Sequence, residues 1–360
     1  MDKNGIEMEE KEMMKSNKIF RLAAVLGMSA LMLTACGDAG SAKIGGNGAG
    51  ASGEGVSGVT LKLSHGLSEE HPIQAALEQF ADEVKESTDG AITVEIYPNA
   101  TLGSEKDNLE QMPIGALDMA KVSAASLETF APVYEAFSVP YIFDNKDHYY
   151  AFMDSEEAEE VYKSTSDDGF IALTWFDSGA RSFYTVDTPI NTPEDLKGLK
   201  IRTMDSPLAF EMMDCFGGSA TTMSISDVYT AMQSGVIDGA ENNETALTTG
   251  GHGEIAKCYS YDMHTQIPDI LVIATSIWNS MSEDQQKAVK TAADNAKEAY
   301  KVAWNEAIDE SVAAAEEMGV TFYTPDLTPF QEAVQPIYDR LASEEPDVWA
   351  VCEKIQNYEY

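Results

Sequence analysis

One arginine of this sequence stands where it could bind a carboxylate. Arg202 ends the run Leu199–Arg202, which has the pattern of a β-strand and follows a short helix predicted from Thr192 to Gly198. Ligands of open α/β sheets bind beyond the carboxyl ends of strands, and a guanidinium matches a carboxylate with two parallel hydrogen bonds. Only 23 Lys and Arg residues accompany 61 Asp and Glu residues. We therefore expect Arg202 to bind an anion, with an internal ion pair as the alternative.

Arg181 is a second candidate, although its surroundings say less. It follows Gly179 and Ala180, and a ligand contact and a structural ion pair remain equally open for it. Ser206 and Pro207 have the pattern of a helix start soon after Arg202. The amide groups of such a start add positive potential near the expected anion site.

The elements that must position these residues alternate between strand and helix. The sequence predicts strands at Val59–Ser64 and Ile92–Tyr97, with a helix from Pro72 to about Ser87 between them. Ser104 is expected to cap a further helix that runs to Met112. This alternation predicts an α/β fold with largely parallel sheets.

The last third of the chain contains one long predicted helix. From Ser282 to about Met318 there is no Pro or Gly, and the sequence is rich in Ala, Glu and Lys. Some 35 helical residues span roughly 50 Å, which exceeds a small domain, so we expect this helix to cross from one domain to another. A coiled coil is the alternative, but the apolar positions do not keep a strict heptad. No internal repeat is detectable.

Composition excludes several classes of function. The net charge is −38, and residues 1–36 carry five basic and five acidic side chains, so the rest of the chain keeps the whole −38. Such a charge argues against binding to nucleic acid or to anionic lipid. The five histidines lack metal-ligand helical spacing, and no nucleophile-elbow, P-loop or zinc-protease motif occurs. We expect no cofactor, no metal and no enzymatic activity.

The N-terminus has the pattern of a signal peptide. Basic residues precede the apolar run Leu22–Leu33, which is too short to span a bilayer. The run closes in Leu33-Thr34-Ala35-Cys36, which resembles the lipobox of bacterial lipoproteins. The resemblance implies that Cys36 is lipidated and that the protein is held on a membrane outside the cytoplasm. A spanning N-terminal anchor is the alternative.

The predicted signal occupies residues 1–36, and its acidic first residues favour a start at Met13 or Met14. Residues 37–58 are mostly Gly, Ala, Ser and Asn and predict a flexible tether. Three cysteines remain after Cys36, namely Cys215, Cys258 and Cys352. They allow at most one disulfide, and we expect each of them to be a small, buried apolar side chain instead.

Several segments together resemble the DctP family of solute receptors for TRAP (tripartite ATP-independent periplasmic) transporters. They are Gly179–Thr185, Thr192–Arg202, Val236–Asn243 and the helix after Ser282. The resemblance runs from about Thr60 to Ser343. It implies a two-domain clamp like that of periplasmic binding proteins, with domain I at 59–178 plus about 267–300. Domain II would comprise 179–266 plus about 301–360.

The resemblance also implies roles for individual residues. Arg202 would form the salt bridge with the substrate carboxylate, Arg181 would be a second arginine of the site, and Asn242 would supply a polar contact. The chain is most similar to a branch that binds uronic acids. There Glu105, His65 and Ser123 would reach sugar hydroxyls, although each also has a structural alternative: a helix start, a satisfied core histidine and a backbone contact.

The expected function is that of a lipid-anchored, monomeric receptor that delivers an organic acid to TRAP membrane subunits. A sensory receptor that signals to a kinase is an alternative that the sequence does not separate. A weaker alternative is an extracellular enzyme on acidic sugars, with Glu105 and Glu241 as acid and base. Asp238, Glu241 and Asn242 offer oxygen ligands close in sequence, but they do not fit an EF-hand loop.

Overall fold

The computed structural model of the protein describes residues 55–360. The predicted signal peptide, the start at Met13 or Met14, the lipidated Cys36 and nearly all of the tether lie outside the described residues. The described residues all belong to one compact unit.

Two sheets organise this unit. The first has the strand order β2-β1-β3-β10-β4, and the second has the order β11-β9-β5-β8-β6-β7. The strands of the first sheet are β1 (Val59–Ser64), β2 (Ile92–Tyr97), β3 (Met119–Ser123), β4 (Phe170–Phe176) and β10 (Asp269–Ala274). Those of the second are β5 (Arg181–Thr185), β6 (Lys200–Thr203), β7 (Ser219–Thr222), β8 (Gly239–Asn242), β9 (Cys258–Thr265) and β11 (Thr321–Tyr323).

Helices pack around both sheets. In chain order they are α1 (Pro72–Ser87), α2 (Glu105–Gln111), α3 (Ala124–Leu127), α4 (Lys146–Met153), α5 (Glu156–Lys163), α6 (Pro207–Phe216), α7 (Ile225–Gln233), α8 (Thr245–Thr248), α9 (Thr275–Trp278), α10 (Glu283–Glu317), α11 (Thr328–Ala333), α12 (Gln335–Glu344) and α13 (Pro346–Gln356). Short 3₁₀ helices occupy Pro132–Phe137, Ser164–Asp168, Pro193–Leu196 and His252–Glu254. The α/β fold class is confirmed.

The expectation of largely parallel sheets is met except for one strand in each sheet, and this strand makes both sheets mixed. In the first sheet β10 runs antiparallel to β3 and to β4. In the second sheet β5 runs antiparallel to β8 and to β9. The antiparallel strands are those that follow a crossing from one sheet to the other, since the chain enters the new sheet from the opposite end.

The two sheets repeat one topology that the sequence does not show. The units β1-α1-β2-α2-β3 and β6-α6-β7-α7-β8 place their strands in equivalent orders, with an antiparallel strand beside β3 and beside β8. The backbone amide of Lys62 donates to Asp118 Oδ2 at 2.9 Å, and that of Lys200 donates to Asp238 Oδ2 at 2.8 Å. Lys121 in β3 is therefore the structural equivalent of Glu241 in β8.

We call the part of the chain built on the first sheet lobe I and the part built on the second sheet lobe II. The chain crosses between them at residues 177–180 and again at 266–268. Helix α13 contacts the segment Pro132–Phe137, which the sequence places in domain I, whereas it places α13 in domain II. The end of the chain thus joins both predicted domains.

Helix α10 is the long helix expected from the sequence, and it reaches the cores of both lobes. Ser282 and Gln285 form a capping box at its start. Tyr300 and Trp304 are buried in the core of lobe I, whereas Ala315 is buried in that of lobe II. Among residues 55–360, no helix has both the length and the apolar composition of a membrane span.

Candidate functional site

A cavity of about 490 Å³ lies between the lobes, where the carboxyl ends of β1, β3, β6 and β8 converge. Its volume and its position between two lobes are typical of small-molecule sites. We call it the interlobe cavity. Its lining includes Gly66, Ser68, His71, Ser104, Glu105, Lys106, Lys121, Ser123, Ser126, Arg181, Arg202, Asp205, Met223, Asn242, Asn243, Thr245, His252 and Asp269.

Arg202 enters the cavity from β6, as its place at a strand end predicts. A capping box between Thr192 and Asp195 starts the preceding 3₁₀ helix. Gly198, with φ of 86°, then turns the chain into the strand. The expected short helix, strand and strand-end arginine are thus confirmed.

The Arg202 guanidinium is buried and has no carboxylate partner among residues 55–360. Its side chain donates two hydrogen bonds, from Nε at 3.0 Å and from Nη2 at 2.8 Å, both to the backbone oxygen of Met223. The residue is only 6% exposed. Burial lowers the pKa of Arg202, partly offset by the charge of Glu241. A carbonyl does not neutralise a buried positive charge, so an anion that binds here would be stabilised by the guanidinium.

Arg181, the first residue of β5, is instead fully paired. Its Nε donates to Glu241 Oε2 at 2.5 Å and its Nη2 to Oε1 at 2.9 Å, while Nη1 donates to Asn242 Oδ1 at 2.9 Å. Burial opposes the ionisation of Glu241, but the charge of Arg181 and hydrogen bonds from His264 and Arg181 hold its pKa at about 2. Of the two readings left open for Arg181, the structure contains the ion pair.

His264 and Asp262 extend this pair into a buried network of four charges. His264 Nδ1 lies 2.7 Å from Asp262 Oδ2, and its Nε2 lies 3.4 Å from Glu241 Oε2. Burial disfavours the protonated ring, but the two carboxylates raise the pKa of His264 to about 9. The network therefore contains two cations and two anions at neutral pH.

A second buried pair lies at the equivalent place in lobe I, with its signs reversed. Lys121 Nζ donates to Asp269 Oδ2 at 2.7 Å. Lys121 is the third residue of β3 and Asp269 the first of β10, just as Glu241 and Arg181 are the third and first residues of β8 and β5. Each pair ties the strand that enters a lobe to its neighbour.

Glu105 stands at the start of α2 and faces the cavity with its side chain 25% exposed. Its Oε2 accepts hydrogen bonds from the Ser123 amide at 3.1 Å and the Ser126 hydroxyl at 2.6 Å. Its Oε1 lies 3.8 Å from Lys121 Nζ. The Ser123 hydroxyl itself caps α3 through the Ala125 amide.

The structure brings Arg202, Arg181, Asn242, Glu105 and Ser123 together around the cavity. His65 is the exception, because it is not part of the lining. Its ring is fully buried, and its Nε2 pairs with Gln74 Oε1 at 2.8 Å. Burial lowers the pKa of His65 to about 4. Its ligand role stays a prediction, as do those of the other five residues.

The cavity is also lined by two histidines that were not predicted from the sequence to be site residues. His71 caps α1 and lies 3.4 Å from the Thr245 hydroxyl of lobe II, and His252 lies 2.8 Å from the Tyr184 hydroxyl. Burial lowers the pKa of His71 to about 3 and that of His252 to about 4, so both rings are neutral at neutral pH. The sequence indicates that a helix starts at Pro72, but it does not indicate that the preceding His71 lines a cavity.

The lobes also touch around the cavity. Lys106 of lobe I lies 3.5 Å from Asp205 of lobe II, and Glu128 of lobe I accepts a hydrogen bond from Ser206 of lobe II at 2.6 Å. The Ser68 hydroxyl donates to the backbone oxygen of Thr249 at 3.4 Å. These contacts join the two lobes beside the cavity.

The cysteines and the possible metal ligands were also located in the described part of the chain. Cys258 and Cys352 are buried and Cys215 is half-buried, and all three are free thiols. Asp238, one of the oxygen ligands considered from the sequence, accepts the Lys200 amide instead. No group of three His, Cys, Asp or Glu side chains converges as metal ligands would in residues 55–360.

Comparisons with known proteins agree with this geometry. The family model described as bacterial extracellular solute-binding protein, family 7 (DctP) matches residues 63–345. The uncharacterized protein YiiZ of Salmonella typhimurium is 43% identical over 298 residues, which are 82% of this chain and 90% of that protein.

Solved structures show the same fold. A TRAP periplasmic solute-binding protein of Anaerococcus prevotii with bound α/β-D-glucuronate is similar with a TM-score of 0.81 and 40% identity, covering 83% of this chain and 97% of that one. One of Xanthobacter autotrophicus with bound β-D-galacturonate has a TM-score of 0.81 and 35% identity, covering 83% and 100%.

Proposed function

Because the chain belongs to the bacterial extracellular solute-binding proteins of family 7, we propose that it captures a uronate in the interlobe cavity and delivers it to the membrane subunits of a TRAP transporter. The similar structures with bound glucuronate and galacturonate support this ligand class. A role in solute binding rather than catalysis agrees with the family and with the absence of a catalytic motif from the sequence.

The observation that carries the proposal is the state of Arg202. Among residues 55–360 this buried guanidinium donates to a carbonyl and has no carboxylate that would neutralise it. A ligand carboxylate supplies that charge and can form two parallel hydrogen bonds with the guanidinium. The ligand is thus oriented with its carboxylate towards lobe II.

The rest of the cavity fits the hydroxyl groups of a sugar acid. Glu105 offers acceptor positions on lobe I, while Asn242 and the neutral rings of His71 and His252 offer further polar atoms. Contacts from both lobes to one ligand favour the closed conformation only to the extent that they are better made there. The ligand then stabilises the shape that the membrane subunits recognise.

Binding is tested by thermal unfolding and calorimetry with D-glucuronate and D-galacturonate. A uronate at 100 times its dissociation constant should raise the free energy of unfolding by about 2.7 kcal/mol. D-Glucose, which has the same ring without the carboxylate, should give no shift because it cannot neutralise Arg202. Absence of a shift with both uronates would refute the proposal.

We also propose that Cys36 carries the lipid anchor that keeps the receptor beside its transporter. The support is the lipobox-like junction and the tether of residues 37–58. Cys36→Ser should move the protein from the membrane fraction to the soluble fraction without changing its affinity for a uronate. Unchanged membrane retention of this variant would exclude the anchor.

A further inference from the structure

We propose that the interlobe cavity selects acids with a single carboxylate and rejects aldarates, the sugar acids that carry a carboxylate at both ends. This inference rests on the proposed function and narrows its ligand class. It comes from the distribution of charge around the cavity, where lobe II offers one cation without a carboxylate partner among the described residues and the buried groups of lobe I carry one excess negative charge.

Four cations line the cavity, and three of them already have carboxylate partners. Arg181 is held by Glu241, and Lys121 by Asp269. Lys106 lies 3.5 Å from Asp205, at the exposed edge. Arg202 alone has no carboxylate partner among the described residues, so the cavity can neutralise one ligand carboxylate.

The histidines of the lining do not supply a second positive charge. His71 and His252 are neutral at neutral pH, because burial disfavours their protonated forms. His264, which is protonated, lies between Asp262 and Glu241 and is therefore already neutralised. A second ligand carboxylate would find no unpaired cation.

Apart from Lys106 at the exposed edge, the wall of lobe I is in addition negatively charged. Lys121 is its one buried cation and has two carboxylates beside it, Asp269 at 2.7 Å and Glu105 at 3.8 Å. The group therefore carries one net negative charge. The Glu105 side chain is 25% exposed and lines the same cavity as Arg202, so a ligand in the cavity meets both charges.

The two walls require different groups at the two ends of a bound ligand. Its carboxylate is attracted to Arg202, and its other end must donate hydrogen bonds to Glu105 or remain neutral. A uronate satisfies both, because its far end carries hydroxyl groups. An aldarate places a second carboxylate near Glu105, where the two like charges repel each other and weaken binding.

The test compares pairs of ligands that differ in the oxidation of one terminal carbon: D-glucuronate with D-glucarate, and D-galacturonate with galactarate. Calorimetry at pH 7, where all these carboxylates are ionised, should show at least about 100-fold weaker binding of the aldarates to the wild type. Glu105→Gln keeps the shape of the side chain and removes its charge. It should reduce the discrimination to less than about tenfold, mainly by strengthening aldarate binding.

Glu110→Gln is the matched control, because Glu110 lies on the same helix, is exposed and is not part of the lining. It should leave the discrimination unchanged. Wild-type protein that binds uronates and aldarates equally would overturn the inference and leave the proposed function standing. Rejection of aldarates that persists in Glu105→Gln would also overturn it, since the cause would then be ligand shape. If no uronate binds at all, the proposed function fails and this inference with it.

Discussion

Replacing Arg202 and Arg181 by Met in parallel tests whether Arg202 binds the ligand, as proposed, while Arg181 stabilises the fold. Both arginines are buried, at 6% and 4% exposure, and both line the same cavity. Their partners differ, since Arg202 donates to a carbonyl whereas Arg181 is paired with Glu241. Methionine keeps an unbranched side chain at each position and removes the charge.

For Arg202→Met we expect the free energy of unfolding of the ligand-free protein to change by less than about 1 kcal/mol. The substitution loses two hydrogen bonds to Met223 but also removes the cost of keeping an unpaired charge out of water, and these terms oppose each other. Uronate binding should weaken by about 2–5 kcal/mol, because the carboxylate would be buried without a partner. That corresponds to about 30- to 4,000-fold in dissociation constant.

For Arg181→Met we expect a loss of about 3–5 kcal/mol in the free energy of unfolding, because Glu241 would remain buried with only His264 at 3.4 Å beside it. Chemical denaturation gives the stabilities and calorimetry the affinities. If Arg202→Met destabilises the protein as much as Arg181→Met does, Arg202 has a structural role. A less than threefold change in affinity for Arg202→Met would remove Arg202 from the site.

Two further substitutions test other parts of the structure. The pKa of His264 is raised from 6.5 to about 9, so its contribution to stability is complete below about pH 6.5 and is lost as the pH rises through 9. Denaturation should show that the free energy of unfolding of the wild type falls between pH 6 and pH 9.5 by up to about 3 kcal/mol more than that of His264→Gln. An equal decrease in both proteins would contradict the charged network. Ser282→Ala removes the hydroxyl that caps α10 through the Gln285 amide and should lower the free energy of unfolding by about 1 kcal/mol. Its uronate affinity should stay within twofold of the wild type, and a larger loss would mean that the start of α10 shapes the cavity.

Local sequence was sufficient for the elements and for the position of Arg202. The strands Val59–Ser64 and Ile92–Tyr97 have the predicted bounds, because the alternation of apolar residues is a local signal. The turn at Asp89 and Gly90 separates the first helix from the second of these strands. Both turn residues adopt positive φ. Arg202 lies near the end of its strand because the cap at Thr192 and the glycine after the short helix fix where that strand begins.

Partners distant in the chain could not be predicted in this way. The residues of the pair Arg181–Glu241 are 60 positions apart, and no local pattern distinguishes an arginine that meets a ligand from one that meets a glutamate. The alternation of β5 and β10 is also the same whether a strand is parallel or antiparallel to its neighbour, so the mixed sheets were missed. At His65, just past the end of β1, the sequence does not say which way the side chain turns.

The opposite polarity of the two equivalent ion pairs has a consequence for assembly. Because the lobes share one topology, a folding chain could insert β5 beside β3 or β10 beside β8. The first error would set Arg181 against Lys121, and the second would set Asp269 against Glu241, each a clash of like charges away from water. Only the correct arrangement places opposite charges together. The reversed signs of the two pairs therefore favour the insertion of β10 beside β3 and of β5 beside β8, and disfavour the exchange of these two strands between the lobes.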